Sequence, residues 1–302
     1  MSKTRAPFPY YGGASLVLKW HNDVIRDLRE KYELTTWVDT FAGSGLYTLN
    51  QDPPFPVEVL NDKSDLITNA FKVLRDNSDE LMERLKLTEY SQAVWDECRY
   101  IHPEDDEVMR AWKWIVVLSM AFSGVPYVKD TDDESIQIQT KHQWRYGVSS
   151  NNKSGALTIS GFRSRISCLP EIIERLQRVQ ITNWDFGRVI EKFDTPKTIF
   201  LMDPPFVADT RVGDAKVYEN EMGNDEHTRL LDMLKEVSGA FVLRGYSNDL
   251  YEQVANEHGW SREERERKCS ASHVAKTRKA KGGTEQPSRT EVIWFRGPKT
   301  KE

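Results

Sequence analysis

Four aspartates, Asp39, Asp62, Asp185 and Asp203, each stand just past a short apolar run, and this repetition constrains the fold more than any single motif in the chain. The runs are Thr35–Val38, Val57–Leu60, Val179–Thr182 and Thr198–Met202. Near-continuous apolar runs of this length suit strands covered on both faces. Amphipathic segments of helical length lie between them. Strands that alternate with helices predict an α/β fold, a doubly wound, mainly parallel sheet with helices on both faces. Ligands of such sheets bind beyond the carboxyl ends of the strands, so the four carboxylates are expected to converge on one crevice.

Trp20, Val24 and Leu28 recur at i, i+4 and i+8, with Val17 and Ile25 beside them, and predict a helix over Ser15–Glu30. Ser64–Arg75 repeats the pattern, and Asp79–Leu87, Ser91–Tyr100 and Asp105–Phe122 carry apolar faces of their own. From Gly124 to Ser160 the composition changes. Gly, Asn, Ser and Asp separate short β-type runs such as Ser135–Gln139 and Ala156–Ile159, which predicts a hairpin-rich insertion. A helix over Pro170–Arg178, a helix over Asp225–Val237, and strands at Ala240–Leu243, near Trp260 and at Glu291–Phe295 restore the alternation. The chain therefore divides into a main unit, residues 1–75 and 176–302, and an inserted helical and hairpin-rich region, 76–175.

Asp203-Pro204-Pro205-Phe206 has the chemistry of a grip for an exocyclic amino group. A planar NH2 needs two acceptors and a flat surface. Asp203 supplies one acceptor, and Pro205, with no N–H and a fixed φ, lets the turn hold the Pro204 carbonyl outward as the second. Phe206 offers a ring on which a base stacks, worth roughly 1–3 kcal/mol.

The second reactant is expected at Asp39-Thr40-Phe41-Ala42-Gly43-Ser44-Gly45, where Phe41, Gly43, Ser44 and Gly45 form a tight loop that lets backbone approach a nucleotide closely. Asp62 then suits the ribose hydroxyls, and Asp185 and Phe186 an adenine amino group and ring. A dinucleotide fingerprint would place a third glycine at Thr48, so adenosine with a compact amino-acid tail, S-adenosylmethionine, fits better than a nicotinamide cofactor. His227, in an Asp-x-His at a helix start, reads as capping and packing. Cys98, Cys168 and Cys269 are too dispersed for a zinc site and read as reduced thiols.

With these residues in place, the sequence resembles the D12 class, Dam-type, of N6-adenine DNA methyltransferases, and within it the short phage-like members. The resemblance runs from Pro7 to Gly297 in the family's own order. Pro7–Gly13 resembles the N-terminal cofactor motif, which assigns Tyr10, Tyr11, Gly12 and Gly13 to the cofactor. Asp39–Gly45 matches the glycine loop, Asn61-Asp62 the ribose acid, Asn183–Phe186 the adenine-contacting segment, and Asp203–Phe206 the catalytic tetrapeptide. Gly245–Asn248 and Arg289–Trp294 resemble trailing motifs. The resemblance implies a metal-free transfer from S-adenosylmethionine to a flipped adenine in double-stranded DNA, the DNA methylation used in restriction-modification.

Two departures stand out. The family usually has Lys after Gly-Gly where this chain has Ala14-Ser15, and Lys19 could substitute only if its helix points it back. Tyr is also commoner than Phe206. Phe there occurs in methyltransferases of ribosomal RNA guanine-N2, which keeps that substrate as an alternative beside a non-catalytic nucleic-acid-binding relative.

A net charge of −5 and a pI near 5.8 argue against binding driven by whole-chain charge and leave DNA contact to local patches. The candidates are Lys141, Trp144, Arg145 and Tyr146 in the insertion, where charge and aromatic faces alternate, together with Arg163 and Arg165 and the basic stretch Arg262–Lys281. No run approaches the roughly 18 apolar residues of a membrane helix, and no apolar signal core follows Met1–Pro7, so a cytoplasmic monomer is expected.

Overall fold

A computed structural model describes residues 4–10, 14–121, 126–131, 134–140, 144–147, 150–151, 155–207, 220–268 and 288–299. Its main sheet has seven strands: β1 (Thr36–Asp39), β2 (Val57–Asn61), β3 (Val179–Thr182), β4 (Thr198–Met202), β5 (Ala240–Tyr246), β6 (Ser261–Lys268) and β7 (Ser288–Arg296). From edge to edge the order is β3-β2-β1-β4-β5-β7-β6. β1 to β5 pair in parallel, and β7 runs antiparallel to both β5 and β6. The expected doubly wound, mainly parallel sheet is present.

Side-chain alternation explains why the strands are buried on both faces. Val38, Phe200, Met202, Phe241, Leu243, Val292 and Trp294 share one apolar cluster, while their neighbours Trp37, Ile199, Leu201, Ala240, Val242 and Ile293 share another. The first cluster is closed by helices α9 (Phe186–Phe193), α10 (Asn224–Glu236) and α11 (Asp249–Glu257); the second by α1 (Leu18–Tyr32) and the single turn α2 (Leu46–Leu49). The strand expected near Trp260 is β6. α9 and α11 were not anticipated.

The inserted region carries α4 (Ser78–Leu87), α5 (Gln92–Cys98), α6 (Glu107–Met120) and α7 (Leu157–Ser167), with a hairpin of Pro126–Asp130 and Ile136–Thr140. One apolar cluster runs from α3 (Asp65–Asp76), which flanks the sheet, through Trp114 and Val117 of α6 to Leu169 and Leu176 of α8 (Leu169–Leu176). The run Ala156–Ile159, read as β-type, instead leads into α7, because Phe162 and Ile166, one turn apart, are buried in that cluster.

Strand order reverses between β1 and β4. From β1 the chain steps outward to β2 and β3, then returns to β4 on the other side of β1 and continues to β5. The crevice beyond the carboxyl ends of β1 and β4 is the switch point at which such sheets bind ligands. Asp39 ends β1 and Asp203 follows β4, which brings together two segments separated by just over half the chain.

Candidate active site

The loop after β1 turns on two glycines in the left-handed region, Gly43 at φ 51° and Gly45 at φ 67°. A Cβ on Gly43 would stand 2.9 Å from the Tyr10 ring, and one on Gly45 2.7 Å from the Phe71 ring. Both positions therefore require glycine for backbone shape and for space. Gly43 and Ser44 line a cleft that encloses about 940 Å³ of space, its open mouth included, and Gly45 faces the core behind it.

Asp62, Asp185 and Asp203 also line this cleft, as do Tyr10, Phe41 and Phe186. Asp62 accepts from the Gly43 amide through Oδ2 and the Ser64 amide through Oδ1, both at 2.9 Å, and so ties the glycine loop to the end of β2. Beside it the buried Asn61 donates to the carbonyls of Thr40 and Trp184, each at 3.0 Å, and accepts from the Trp184 amide at 2.9 Å. Asn61 was named only as part of a motif; it is the clamp that fixes three strand ends relative to one another. Asp185 caps α9 by accepting from the Gly187 amide at 2.9 Å and pairs with Arg229. The Phe41 and Phe186 ring centroids lie 5.8 Å apart, and the Arg229 guanidinium covers Phe186 at 4.3 Å.

Asp39 departs from the expectation. Instead of lining the cleft it is buried behind the loop, 1% exposed, and accepts from the Thr48 hydroxyl at 2.9 Å. Thr48 in turn accepts from the Trp37 indole at 3.0 Å. No hydrogen bond reaches Asp39 Oδ1 among the described residues. Burial pushes the Asp39 pKa up to about 7, against the Thr48 bond and with help from the charges of Asp203 and Asp62. Its place is structural and electrostatic.

The tetrapeptide is anchored from an unexpected direction. Asp203 Oδ2 accepts from Arg244 at 2.7 Å, and Arg244 also donates to Glu291, at 3.2 and 3.3 Å to its two oxygens. The side chains of Arg244 and Glu291 are 1% and 0% exposed, whereas that of Asp203 keeps 18%. Pro205 lines the cleft, whereas Pro204, expected to face outward, is buried and is not among the cleft-lining residues. Phe206, expected as an open stacking surface, is 8% exposed: its ring meets the edge of Tyr246 at 4.6 Å and the Arg244 guanidinium at 5.2 Å. A phenyl ring gains by covering itself with the aromatic and the cation at hand.

Several other expectations meet the structure here. Lys19 is 90% exposed and paired with Asp23 at 3.0 Å, so it does not replace the lysine absent at Ala14, which itself lines the cleft. His227 is buried and bonded to the Tyr251 hydroxyl at 2.8 Å, a packing role as expected. Among the DNA candidates, Tyr146 is 76% exposed beside the half-buried Trp144, and Arg145 is exposed. Arg163, which is exposed, and the half-buried Arg165 both bond to backbone carbonyls. Arg163 donates to the carbonyls of Lys86 and Thr88, each at 2.8 Å, and Arg165 to that of Ala6 at 2.8 Å, with its pKa lowered to about 10 chiefly by burial. Both latch α7 to neighbouring backbone, a role invisible to composition. Tyr11, Gly12, Gly13, Lys141 and the basic stretch from residue 269 onward lie outside the described residues. Among those described, no helix is long and apolar enough to cross a membrane.

A seven-stranded, mainly parallel sheet of this order, with its cleft at the switch point, is the α/β architecture of an S-adenosylmethionine-dependent methyltransferase. Residues 10–269 match the family model of the D12 class N6 adenine-specific DNA methyltransferases, and the chain belongs to that family. Its activity is methylation of adenine N6 in DNA, and S-adenosylmethionine is the methyl donor of such enzymes. A search of curated proteins found no match. The family assignment decides for DNA adenine over the ribosomal RNA guanine alternative.

Proposed function

We propose that the cleft beyond β1 and β4 holds S-adenosylmethionine along the Gly43–Ser44 backbone, and that Asp203 and the Pro204 carbonyl receive the amino group of a flipped adenine beside it. The observation that carries this reading is the placement of the Asp203 carboxylate: half-committed to Arg244, partly exposed, and on the wall of the same cleft as the glycine loop.

The residues present fit the cofactor. The cleft is lined by the aromatic rings of Tyr10, Phe41, Trp184 and Phe186 beside a few polar side chains, the mixture usual in small-molecule sites. Its lining carries Asp62, Asp185, Asp203, Glu221 and Glu226 against Lys63, a negative excess suited to a sulfonium and an ammonium group. Gly43, tight against Tyr10, leaves the loop backbone bare on the cleft side. When bound, S-adenosylmethionine supplies an electrophilic methyl group.

The chain's own contribution is position and charge. Asp203 accepts one N6 hydrogen and the Pro204 carbonyl the other, which draws the nitrogen lone pair out of ring conjugation and directs it into the cleft. Asp203 stands ready to take the proton that nitrogen loses once methylated. A stacked adenine cannot reach a donor this far inside the protein, so the base leaves the duplex. The inserted region 76–175, with Trp144, Arg145 and Tyr146 at its surface, serves target recognition, and the enzyme acts on double-stranded DNA as a cytoplasmic monomer.

Calorimetric titration with S-adenosylmethionine tests the cofactor site. Asp62→Ala, which removes the acceptor holding Gly43, is expected to weaken binding at least about tenfold, and Asp203→Ala to leave it within about threefold of native. Unchanged affinity in Asp62→Ala would remove the cofactor from this cleft.

A further inference from the structure

Arg244 touches both ends of the tetrapeptide. Its guanidinium bonds the Asp203 carboxylate at 2.7 Å and lies 5.2 Å from the centre of the Phe206 ring, while its other arm is held by Glu291. The sheet delivers this arrangement. Leu243 of β5 pairs with Met202 of β4, so Arg244 is next to the residue that follows β4; on its other side β7 places Glu291 opposite Tyr246. Three charged side chains thus sit on three adjacent strands at the cleft end of the sheet, two of them fully buried.

Packing alone does not account for them. Neutral or apolar residues of similar volume often fill such a space at least as stably as a buried ionic cluster, so its presence beside this turn calls for another reason. One is geometric. A carboxylate held through one oxygen is restricted in orientation and keeps its second oxygen for a substrate.

We propose that Arg244 is a positioning residue for methyl transfer: it fixes Asp203 through Oδ2, leaves the other oxygen for the adenine amino group, and shares its charge between Asp203 and Glu291. The proposal rests on the reading that Asp203 receives that amino group. Its electrostatics have a sign. Burial raises the Asp203 pKa, Arg244 lowers it, and Glu291 raises it. Arg244 itself stays charged against its burial because the carboxylates of Asp203 and Glu291 flank it. The other titratable groups coupled to this cluster are Asp39 after β1, Tyr47 of α2, Tyr251 of α11 and His21 of α1. Burial holds both tyrosines protonated and His21 neutral, with a pKa of about 2. Asp39 is therefore the neighbour to neutralise in a pH experiment.

The test is the pH dependence of kcat and KM for methylation of unmethylated plasmid DNA, repeated in an Asp39→Asn background. Native enzyme is compared with Glu291→Gln, Arg244→Lys and the paired variant Arg244→Met/Glu291→Gln, which leaves no unpaired buried charge between the two positions. The acidic limb of kcat is expected to move down in pH in Glu291→Gln and up in the paired variant. In the paired variant kcat at neutral pH should fall about 100-fold, with Arg244→Lys recovering part of it and the affinity for S-adenosylmethionine unchanged. A limb that stays in place in Glu291→Gln, whatever becomes of the paired variant's folding, overturns the proposal, as does a folded paired variant with native kcat. A native enzyme that makes no N6-methyladenine, or an Asp203→Ala variant as active as native, would instead remove the reading on which the proposal stands.

Discussion

Replacing Asp39 with asparagine is expected to stabilise the protein above neutral pH and to leave it no better off in mild acid. Burial is the main reason that the Asp39 pKa rises from 3.8 to about 7. Between those values the folded chain binds more protons than the unfolded one. The contribution of Asp39 is therefore fully present below its unfolded pKa and is lost as pH rises through the folded pKa. A rise of about three units at about 1.36 kcal/mol each puts the loss above neutral pH near 4 kcal/mol. Asparagine carries no charge and keeps an oxygen for the Thr48 hydroxyl, but its NH2 falls where no partner reaches Oδ1, at about 1–3 kcal/mol. The net expectation is a gain of about 1–3 kcal/mol at pH ~8 and almost none at pH ~5. Urea unfolding of both proteins at the two pH values, followed by tryptophan fluorescence, reads the difference directly. A variant less stable than native by the same amount at both pH values would mean that Asp39 is ionised and favourable in the fold, and would refute this reasoning.

Gly45→Ala forces a Cβ to within 2.7 Å of the buried Phe71 ring at a φ of 67°, and should lower stability by about 1–3 kcal/mol, seen as a fall in Tm. Arg165→Ala removes the latch to the Ala6 carbonyl; we expect a stability loss of about 1–3 kcal/mol with DNA affinity intact, and an Arg165→Ala protein of native Tm and weakened DNA binding would place that residue at the DNA interface instead.

The sheet and the position of its cleft were legible because strands buried on both faces write themselves as uninterrupted apolar runs. Asp62, Asp185 and Asp203 reach the cleft for the same reason, each standing within three residues of a strand end. Asp39 has the same sequence position and a different fate, because the α2 turn folds the Thr48 hydroxyl back onto it, a contact set by tertiary structure. The misread run Ala156–Ile159 has β-branched residues, but the Phe162, Ile166, Leu169 spacing that follows held the helical signal. Arg244 left a trace too. An arginine directly after Phe241-Val242-Leu243, with a glutamate opening the apolar run Val292–Phe295, is a pair of charges at the ends of two buried strands. That they meet each other and Asp203 follows from strand order, which composition does not reveal.

The most direct test of the central claim is transfer of a labelled methyl group from S-adenosylmethionine to unmethylated double-stranded DNA, with the product digested to nucleosides and Asp203→Ala run beside the native protein. The account predicts N6-methyladenine from the native enzyme, and from Asp203→Ala a rate lower by at least about 1,000-fold with cofactor affinity retained. N6-methyladenine made equally well by Asp203→Ala, or label found on another nucleoside, would contradict it.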